Sequence, residues 1–368
     1  MTRVKGAMKV VTHRMVAALR DEGGLIPVIN KSLSLLKSHG WKYLLYGEYS
    51  AAKNESKAAY ENWIRDKDSL TLEQLDAFKK EADQLAQQVK FSVILPVYKS
   101  NIEFLRAAVE SVTGQIYKNW ELCIADDCSE DRQLSKYLNH LQATGNQKIK
   151  VTFRDETGHI SANSNSALEL ASGDWVVFLD HDDLLSEDAL LQVARAINRH
   201  AGVKMVYSDE DKLDSVGLRC SAYFKPKLNR ELLRGNNYIC HLAAYRRDIV
   251  DQLGGLREGY EGAQDHDLAL RVTEQCSNKE VVHIPVILYH WRVHEGSTAG
   301  GASVKSYAAE SGERAVRDHL DRLSIPASVS RDNRGFYRVK YKIEGDPPSV
   351  AIVIPTRDQV ALLKRCIP

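Results

Sequence analysis

The stretch Trp175-Val-Val-Phe-Leu-Asp180-His-Asp182-Asp183 decides the fold class that we expect for this chain. Five apolar residues in a row, mostly β-branched or aromatic, are typical of a strand buried on both faces of a parallel sheet. Open α/β sheets bind ligands at the carboxyl ends of their strands, where the three acids stand. Because neighbouring carboxylates repel one another, we expect a divalent cation and a phosphorylated substrate among them, and oxygen ligands suit Mg²⁺ or Mn²⁺. The alternative is that Asp183 caps a helix beginning at Ser186, which accounts for only one acid.

A second apolar stretch ends in acids in the same way. Glu121-Leu-Cys-Ile-Ala is followed by Asp126 and Asp127, and Ser129 comes two residues later. Two such strands in one parallel sheet bring Asp126 and Asp180 to the same edge. A carboxylate at that edge can accept a hydrogen bond from the ring N–H of uracil or thymine. The alternative is that the acid closes a turn or a cap with Ser129.

Strands and helices alternate along the middle of the chain. Strands are predicted at 91–97, 120–125, 149–153, 175–179 and 204–207, and helices at 102–112, 134–141, 161–170 and 189–198. This alternation implies an α/β fold, a mostly parallel sheet flanked by helices. We expect this domain to span residues 90–345, after an α-helical N-terminal region at 1–89. In that region Thr71-Leu-Glu-Gln74 resembles a capping box, and one apolar helical face follows, formed by Leu72, Leu75, Phe78, Ala82 and Leu85.

Composition limits the class of protein. The net charge of +1 does not indicate a nucleic-acid binder, and six scattered cysteines without a CxxC pair are typical of a reduced, cytosolic protein. No apolar run of about 18 residues or signal peptide is visible. Residues 1–50 nevertheless carry eight Lys or Arg against three acids, with apolar residues at helical spacing. Such a helix either packs on the main domain or lies on an anionic membrane surface.

The end of the chain repeats its first predicted strand. Ser349-Val-Ala-Ile-Val-Ile-Pro355 is similar to Phe91-Ser-Val-Ile-Leu-Pro96-Val, and residues 360–367 are similar to the helix that follows that strand. Internal repetition of this kind indicates tandem domains. We therefore interpret residues 346–368 as the truncated start of a second, similar domain, although chance similarity of two short segments is the alternative.

Two further motifs carry candidate functional side chains. Glycines lead into a predicted helix whose first turn contains Asp265 and Asp267, where acids complement the helix dipole. Residues two apart on a helix point in different directions, so at most one of these acids faces a site. In Tyr289-His290-Trp-Arg-Val-His294, two histidines stand close together, and a histidine nitrogen suits Mn²⁺ better than Mg²⁺.

Taken together, these motifs resemble family 2 glycosyltransferases of the GT-A fold. The resemblance covers residues 91–298 and lies in Pro-Val-Tyr after the first strand, Asp-Asp-x-Ser, Gly158-His-Ile-Ser-Ala, Leu-Asp-His-Asp-Asp, Gly-x-Gln-Asp-x-Asp-Leu and Tyr-His-Trp-Arg-x-His. The chain is most similar to bacterial enzymes that build O-antigens, capsules and related surface glycans, often called rhamnosyltransferases. It departs from the family at Gln264, where many members have a glutamate before the aspartate.

The resemblance implies a role for each matching residue. Asp265 corresponds to the catalytic base, and Asp182 to the acid that binds the metal directly. His294 corresponds to the histidine that completes the metal site, with His290 as the second choice. The residues expected to bind the nucleotide sugar are Pro96, Val97, Tyr98, Asp126, Asp180 and His181.

The implied function is metal-dependent, inverting transfer of a sugar from a UDP- or dTDP-linked donor to a glycan hydroxyl. The acceptor expected from the resemblance is a lipid-linked glycan at the cytoplasmic face of the inner membrane. Two other functions stay open at this point. One is a non-catalytic module of a tandem transferase that positions the acceptor. The other is a metal-dependent phosphohydrolase, which would normally have Gly-Thr soon after its first aspartate, where this chain has Leu184-Leu185.

Overall fold

The computed structural model describes residues 58–294, 306–332 and 335–367. Within these ranges, none of the helices combines the length and apolar character needed to cross a bilayer. All six cysteines are unpaired, as their scattered spacing predicts.

A nine-stranded sheet forms the centre of the molecule, in the order β3-β2-β1-β4-β8-β6-β9-β5, with β7 paired to β6. Its strands are β1 (Phe91–Val97), β2 (Trp120–Asp126), β3 (Ile149–Phe153), β4 (Trp175–Phe178), β5 (Leu184–Leu185), β6 (Met205–Leu213), β7 (Arg219–Tyr223), β8 (Ala243–Arg246) and β9 (Val281–Arg292). A separate antiparallel hairpin consists of β10 (Ala327–Arg331) and β11 (Tyr337–Tyr341).

Helices cover both faces of this sheet. They are α1 (Leu72–Gln84), α2 (Ile102–Thr113), α3 (Arg132–Ala143), α4 (His159–Glu169), α5 (Ala189–Arg199), α6 (Arg230–Gly235), α7 (Arg247–Gln252), α8 (Gln264–Glu274) and α9 (Ser306–Arg322). A further helix, α10 (Val360–Cys366), has no buried residue. A π-helical turn (Ile64–Asp68) precedes α1, and a 3₁₀ turn (Asn278–Glu280) precedes β9.

Strand β1 shows why the predicted strands are apolar throughout. All seven of its residues are buried. Val93 and Leu95 face a core shared with α2, α3 and α5, whereas Ile94 faces a second core shared with α4 and α8. Successive side chains of a strand point to opposite faces, so a strand covered on both sides needs apolar residues at nearly every position.

The first four strands are parallel, and the second half of the sheet is mixed. β1 pairs in parallel with β2 and β4, and β2 with β3. β8 then runs antiparallel to both β4 and β6, and β9 is parallel to β6. The α/β fold with flanking helices is therefore confirmed. The strands are parallel where strands and helices alternate in sequence, as predicted. The parallel arrangement ends at β8, which runs in the opposite direction to its neighbours.

At the two ends of the described chain, the structure agrees with the sequence-based expectation in some features and differs in others. Thr71 and Gln74 form the predicted capping box at the start of α1. Leu75 and Phe78 pack against the core, but Leu72 is 82% exposed because it lies at the first position of α1, before the helix reaches the domain. The basic segment 1–50 lies outside the described residues. Near the end, α10 forms as the repeat predicts, but residues 347–355 form no strand.

Candidate active site

Residues 180–183, which follow β4 and contain three aspartates, form a turn that we call the acidic turn. Hydrogen bonds from β9 hold it in place. Asp183 is fully buried and accepts hydrogen bonds from the Tyr289 hydroxyl (2.6 Å) and the Arg292 backbone N–H (2.7 Å). Burial raises the pKa of Asp183 well above its usual value, and the charges of Asp180 and Asp182 raise it further. The capping alternative for Asp183 is wrong, because α5 begins at Ala189 and Asp188 stands at its N-cap.

The turn also brings together two of the predicted metal ligands. Asp182 Oδ2 lies 2.7 Å from His294 Nε2, although the two residues are 112 positions apart. The Arg292 Nε–H donates to the backbone oxygen of Asp182 at 2.8 Å, and the Arg292 guanidinium stacks over the Phe104 ring at 4.5 Å. The segment just after β9 therefore places the His294 imidazole beside Asp182, in the turn after β4.

His290 lies on the other face of the same strand. Its Nδ1 is 2.6 Å from Asp211 Oδ1, and the other Asp211 oxygen accepts hydrogen bonds from Tyr60 and Arg219. Neighbouring residues of a strand alternate between faces, so Tyr289 points to the acidic turn and His290 points away from it. Of the two histidines in the motif, only His294 contacts the acids after β4.

The candidate base Asp265 stands in the first turn of α8. Gly262 makes the bend before that helix with a φ of 78°, and an added Cβ there would lie 2.5 Å from Cβ of Ala308. The Asn237 side-chain amide donates to Asp265 Oδ2 at 2.7 Å, and the Cys240 thiol lies 3.9 Å from the same oxygen. Among the described residues, hydrogen bonds to this carboxylate reach only Oδ2, which leaves Oδ1 available to accept a proton.

Asp267, two residues further on, has a structural role. It is fully buried and forms ion pairs with Arg271 (2.7 Å) and Arg257. The prediction that at most one of the two acids faces a site agrees with this geometry, since Asp265 lines a pocket and Asp267 does not.

The acids after β2 are paired within the protein. Asp126 accepts hydrogen bonds from the backbone N–H and the hydroxyl of Ser129, as the turn interpretation predicts. Asp127 pairs with Arg154 at 3.0 Å and accepts the N–H of Gly158 at 2.8 Å. The side chains of both acids are buried.

The other predicted nucleotide-binding residues lie near the same edge of the sheet. Pro96 lines the pocket that contains Asp265, and Val97 is fully buried beside Asp126 in the β1–β2 register. Tyr98 is 43% exposed just beyond β1. His181 lies in the acidic turn, and its buried Nδ1 has no hydrogen-bond partner among the described residues.

One pocket joins the candidate base to the acidic turn. Its lining is formed by Pro96, Ile160, Ser164, Phe178, Asp180, Cys240, His241, Ala243, Tyr245, Leu256, Gln264, Asp265 and Leu268. Sequence reasoning missed Asn237, Cys240 and His241, which come from the loop before β8. That loop contains no spacing typical of a site, so only the folded chain reveals these residues.

The donor set at the acidic turn suits a hard divalent cation. Carboxylate oxygens and imidazole nitrogens meet there: Asp182 lies beside His294, and ligand atoms of Asp180, Asp183 and His241 lie within 4.8 Å of one another. The side chains of Asp182 and His294 are 15% and 32% exposed, so solvent reaches them. Within the described ranges, no lysine or arginine side chain pairs with the carboxylates of Asp180, Asp182 or Asp183. Three acids without a lysine or arginine partner, beside two histidines, fit Mn²⁺ or Mg²⁺.

Comparison with known proteins places this geometry in a family. Residues 92–254 match the model for Glycosyl transferase family 2. "Uncharacterized protein y4gI" of Sinorhizobium fredii is 44% identical over 279 residues, 75% of this chain and 30% of that protein. O-antigen biosynthesis protein RfbC of Myxococcus xanthus is 35% identical over 284 residues, 77% of this chain and 22% of that protein. The PGL/p-HBAD biosynthesis glycosyltransferase of Mycobacterium bovis is 31% identical over 183 residues, 49% of this chain and 68% of that protein.

A solved structure supports the fold assignment. S. aureus TarS, residues 1–349 in complex with UDP-GlcNAc, superposes with a TM-score of 0.51 at 20% identity, covering 63% of this chain and 66% of that chain. At this identity the similarity shows the fold, which is the GT-A fold of glycosyltransferases. The chain spans less than a third of the length of the Sinorhizobium and Myxococcus relatives.

Proposed function

Since this chain belongs to glycosyl transferase family 2, we propose that it moves a sugar from a nucleotide-diphosphate donor to a hydroxyl group of a growing bacterial surface glycan. The observation that supports this most is the single pocket that contains both Asp180, from the acidic turn, and Asp265, from α8. A donor diphosphate at the turn would place its sugar in the pocket, where an acceptor hydroxyl could meet Asp265.

The proposal includes a divalent cation, Mn²⁺ or Mg²⁺, held by Asp182 and His294. When bound, such a cation neutralises the charge that develops on a diphosphate leaving group. The 2.7 Å separation of Asp182 Oδ2 and His294 Nε2 supports the assignment of both residues to one ion. Asp180 would contact the donor ribose or a water molecule beside the ion.

Asp265 is the proposed general base. An acceptor hydroxyl has a high pKa and must lose its proton as its oxygen attacks the anomeric carbon, a step that a positioned base accelerates about 10²–10⁴-fold. Asn237 donates to Oδ2 and so fixes the carboxylate, while Oδ1 receives the proton. Attack from the face opposite the leaving diphosphate inverts the anomeric centre. No carboxylate nucleophile is needed, in contrast to a retaining double displacement.

The remaining nucleotide contacts are assigned by position along the sheet edge. Pro96, Val97 and Tyr98 would line the base and ribose pocket, and His181 would contact the nucleotide sugar beside the acidic turn. Asp126 would read a uracil or thymine ring. Its two hydrogen bonds with Ser129 leave lone pairs on a carboxylate that offers about four acceptor positions. A UDP- or dTDP-linked donor follows from this assignment.

The proposed acceptor is lipid-linked and the proposed location is the cytoplasm, with peripheral contact to the inner face of the cytoplasmic membrane. The RfbC relative supports a surface-glycan acceptor, since its name assigns it to O-antigen biosynthesis. Residues 90–345 would form the transferase domain. Residues 346–368 would begin a second domain that acts with it in a longer protein, as the greater length of the relatives suggests.

The test is a panel of UDP- and dTDP-linked sugars, with nucleotide release measured with and without a glycan acceptor. We expect release that depends on acceptor, stops with EDTA and returns with Mn²⁺ or Mg²⁺. Asp265→Asn should abolish transfer and keep donor binding, whereas Asp76→Asn on α1 is the control and should transfer normally. Wild-type turnover by purified, folded Asp265→Asn would refute the base assignment, and full activity without metal would refute the role of the cation.

A further inference from the structure

Lys225 is a buried lysine that the proposed reaction leaves without a role. Its side chain is fully buried, and its Nζ donates to Glu210 Oε2 at 2.9 Å. It also donates to the backbone oxygens of Ile239, at 2.7 Å, and His241. A buried charge is tolerated only when it is paired and hydrogen-bonded. Since two of the three donors go to carbonyls on either side of Cys240, this lysine fixes the conformation of the 239–241 loop.

The loop places His241 in the lining of the pocket. His241 Nε2 lies 3.9 Å from Asp180 Oδ2. One ring nitrogen of His241 is also within 4.8 Å of an Asp265 oxygen, so the imidazole lies between the acidic turn and the candidate base. Its ring stacks on Tyr289 with centroids 4.5 Å apart and planes 16° apart, and the edge of Trp291 approaches at 5.9 Å. These contacts restrict the orientation of the imidazole.

The surroundings of His241 favour a neutral, hydroxylated ligand. Two carboxylates, Asp180 and Asp265, lie on either side of the ring, and such charges repel a phosphate. Sugar hydroxyls suit the same place, because each can donate to a carboxylate and accept from an imidazole N–H. Phe178, Ala243 and Leu268 also line the pocket and provide the apolar surface that sugar C–H groups contact.

We propose that His241 binds a hydroxyl group of the donor's sugar and that Lys225 is the positioning residue that holds His241 there. This assignment rests on the proposed function, because it presumes a nucleotide-sugar donor with its sugar in the pocket. It adds a sugar-contacting residue from the loop before β8, which none of the sequence motifs includes.

The experiment compares two ligands that differ only by the sugar. For wild type and His241→Ala we would measure KM for the donor and the inhibition constant of the corresponding nucleoside diphosphate. Loss of one hydrogen bond predicts a KM about 10-fold higher, with the inhibition constant unchanged. His200→Ala, at an exposed histidine after α5, is the matched control and should change neither value.

Each other outcome separates the two proposals. Equal increases in KM and in the inhibition constant would assign His241 to the diphosphate and overturn the sugar contact. Unchanged values of both would overturn any donor contact by His241. If wild type turns over no nucleotide sugar in the panel, the proposed function itself fails. That result does not involve the His241 variant, so it is distinct from failure of the His241 assignment.

Lys225 is tested by the double variant Lys225→Met/Glu210→Gln, which removes both buried charges together and leaves neither unpaired. As a positioning residue, Lys225 should affect only the binding of the donor's sugar, through His241. We therefore expect a raised donor KM and an unchanged inhibition constant for the nucleoside diphosphate, with near-normal kcat. A lower thermal unfolding midpoint with KM at the wild-type value would show a purely structural role and overturn the positioning assignment.

Discussion

Acids stand at the carboxyl ends of both β2 and β4, the two strands that flank β1, yet a basic side chain pairs with an acid of only one of these sets. After β2, Asp127 pairs with Arg154 and accepts the Gly158 N–H, and Asp126 bonds to Ser129. After β4, the described residues bring no lysine or arginine side chain to the carboxylates, and the Arg292 guanidinium donates to the backbone oxygen of Asp182 instead.

This difference between the two sets of acids indicates which of them needs a cation from outside the protein. Of the acids at the end of β2, Asp127 has a positive partner in Arg154, and Asp126 accepts two hydrogen bonds from Ser129, so both are held by local structure. The β4 acids raise one another's proton affinity, as the elevated pKa of Asp183 indicates. Charge left uncompensated at the carboxyl edge of a sheet is a feature of ligand sites rather than of stable cores.

The largest effect should come from the uncompensated set. Asp182→Asn keeps the size of the side chain and removes a proposed metal ligand. Because a metal supplies several kcal/mol of transition-state stabilisation, transfer should fall on the order of 10³-fold. Initial rates at saturating donor, with Asp76→Asn as control, measure this. A variant that retains more than a tenth of the activity would remove the distinction between the two sets.

The compensated set should affect stability instead. Asp127→Ala leaves Arg154 without its carboxylate partner, and breaking such a pair costs about 3 kcal/mol, the lower end of the range for buried pairs because Arg154 is partly exposed. Urea unfolding would measure this free-energy loss. The comparison would fail if Asp127→Ala were as stable as wild type.

The smallest effect concerns acid stability at the opposite end of β2. Burial would raise the pKa of Glu121, but hydrogen bonds from Lys90, Ser92 and Ser172, with the Lys150 ion pair, hold it below its usual value. The folded pKa is thus lower than the unfolded one of about 4.3, so this stabilisation is present above that pH and is lost as pH falls through the folded pKa.

Glu121→Gln should therefore cost about 1–2 kcal/mol at neutral pH, as hydrogen bonds to a charged group are weakened. The difference from wild type should shrink as the pH falls below about 4. Unfolding free energies measured from neutral pH downward check this. A difference that stays constant with pH would show that the ionised carboxylate is not what stabilises wild type.

The sequence predicts those features that local interactions determine. The sequence predicts strand β1 and helix α2 within a residue of their observed ends, because apolar runs and helical spacing are local patterns. The Asp126–Ser129 turn spans four residues, and the sequence also predicts it, as the alternative interpretation of Asp126. Asp182 and His294, both predicted metal ligands, meet at the acidic turn. Their motifs predict them together because each motif ends a strand of the same sheet.

Features that depend on distant partners could not be predicted. His290 and His294 look alike in sequence, and only the pairing of β9 with β6 shows that Asp211 binds His290. His241 depends on Lys225, sixteen residues earlier, and on Tyr289 beneath its ring. Residues 349–354 have the composition of a strand, but none of the described strands pairs with them, so no strand forms.

The central claim is that the acids after β4 are completed by an external cation and those after β2 are not. The most direct measurement is Mn²⁺ binding, followed by the EPR signal of free Mn²⁺ with saturating UDP or dTDP, for wild type, Asp182→Ala and Asp127→Ala. The account predicts that wild type and Asp127→Ala bind one ion with similar affinity and that Asp182→Ala loses it. Equal Mn²⁺ affinity in Asp182→Ala and wild type would contradict the account.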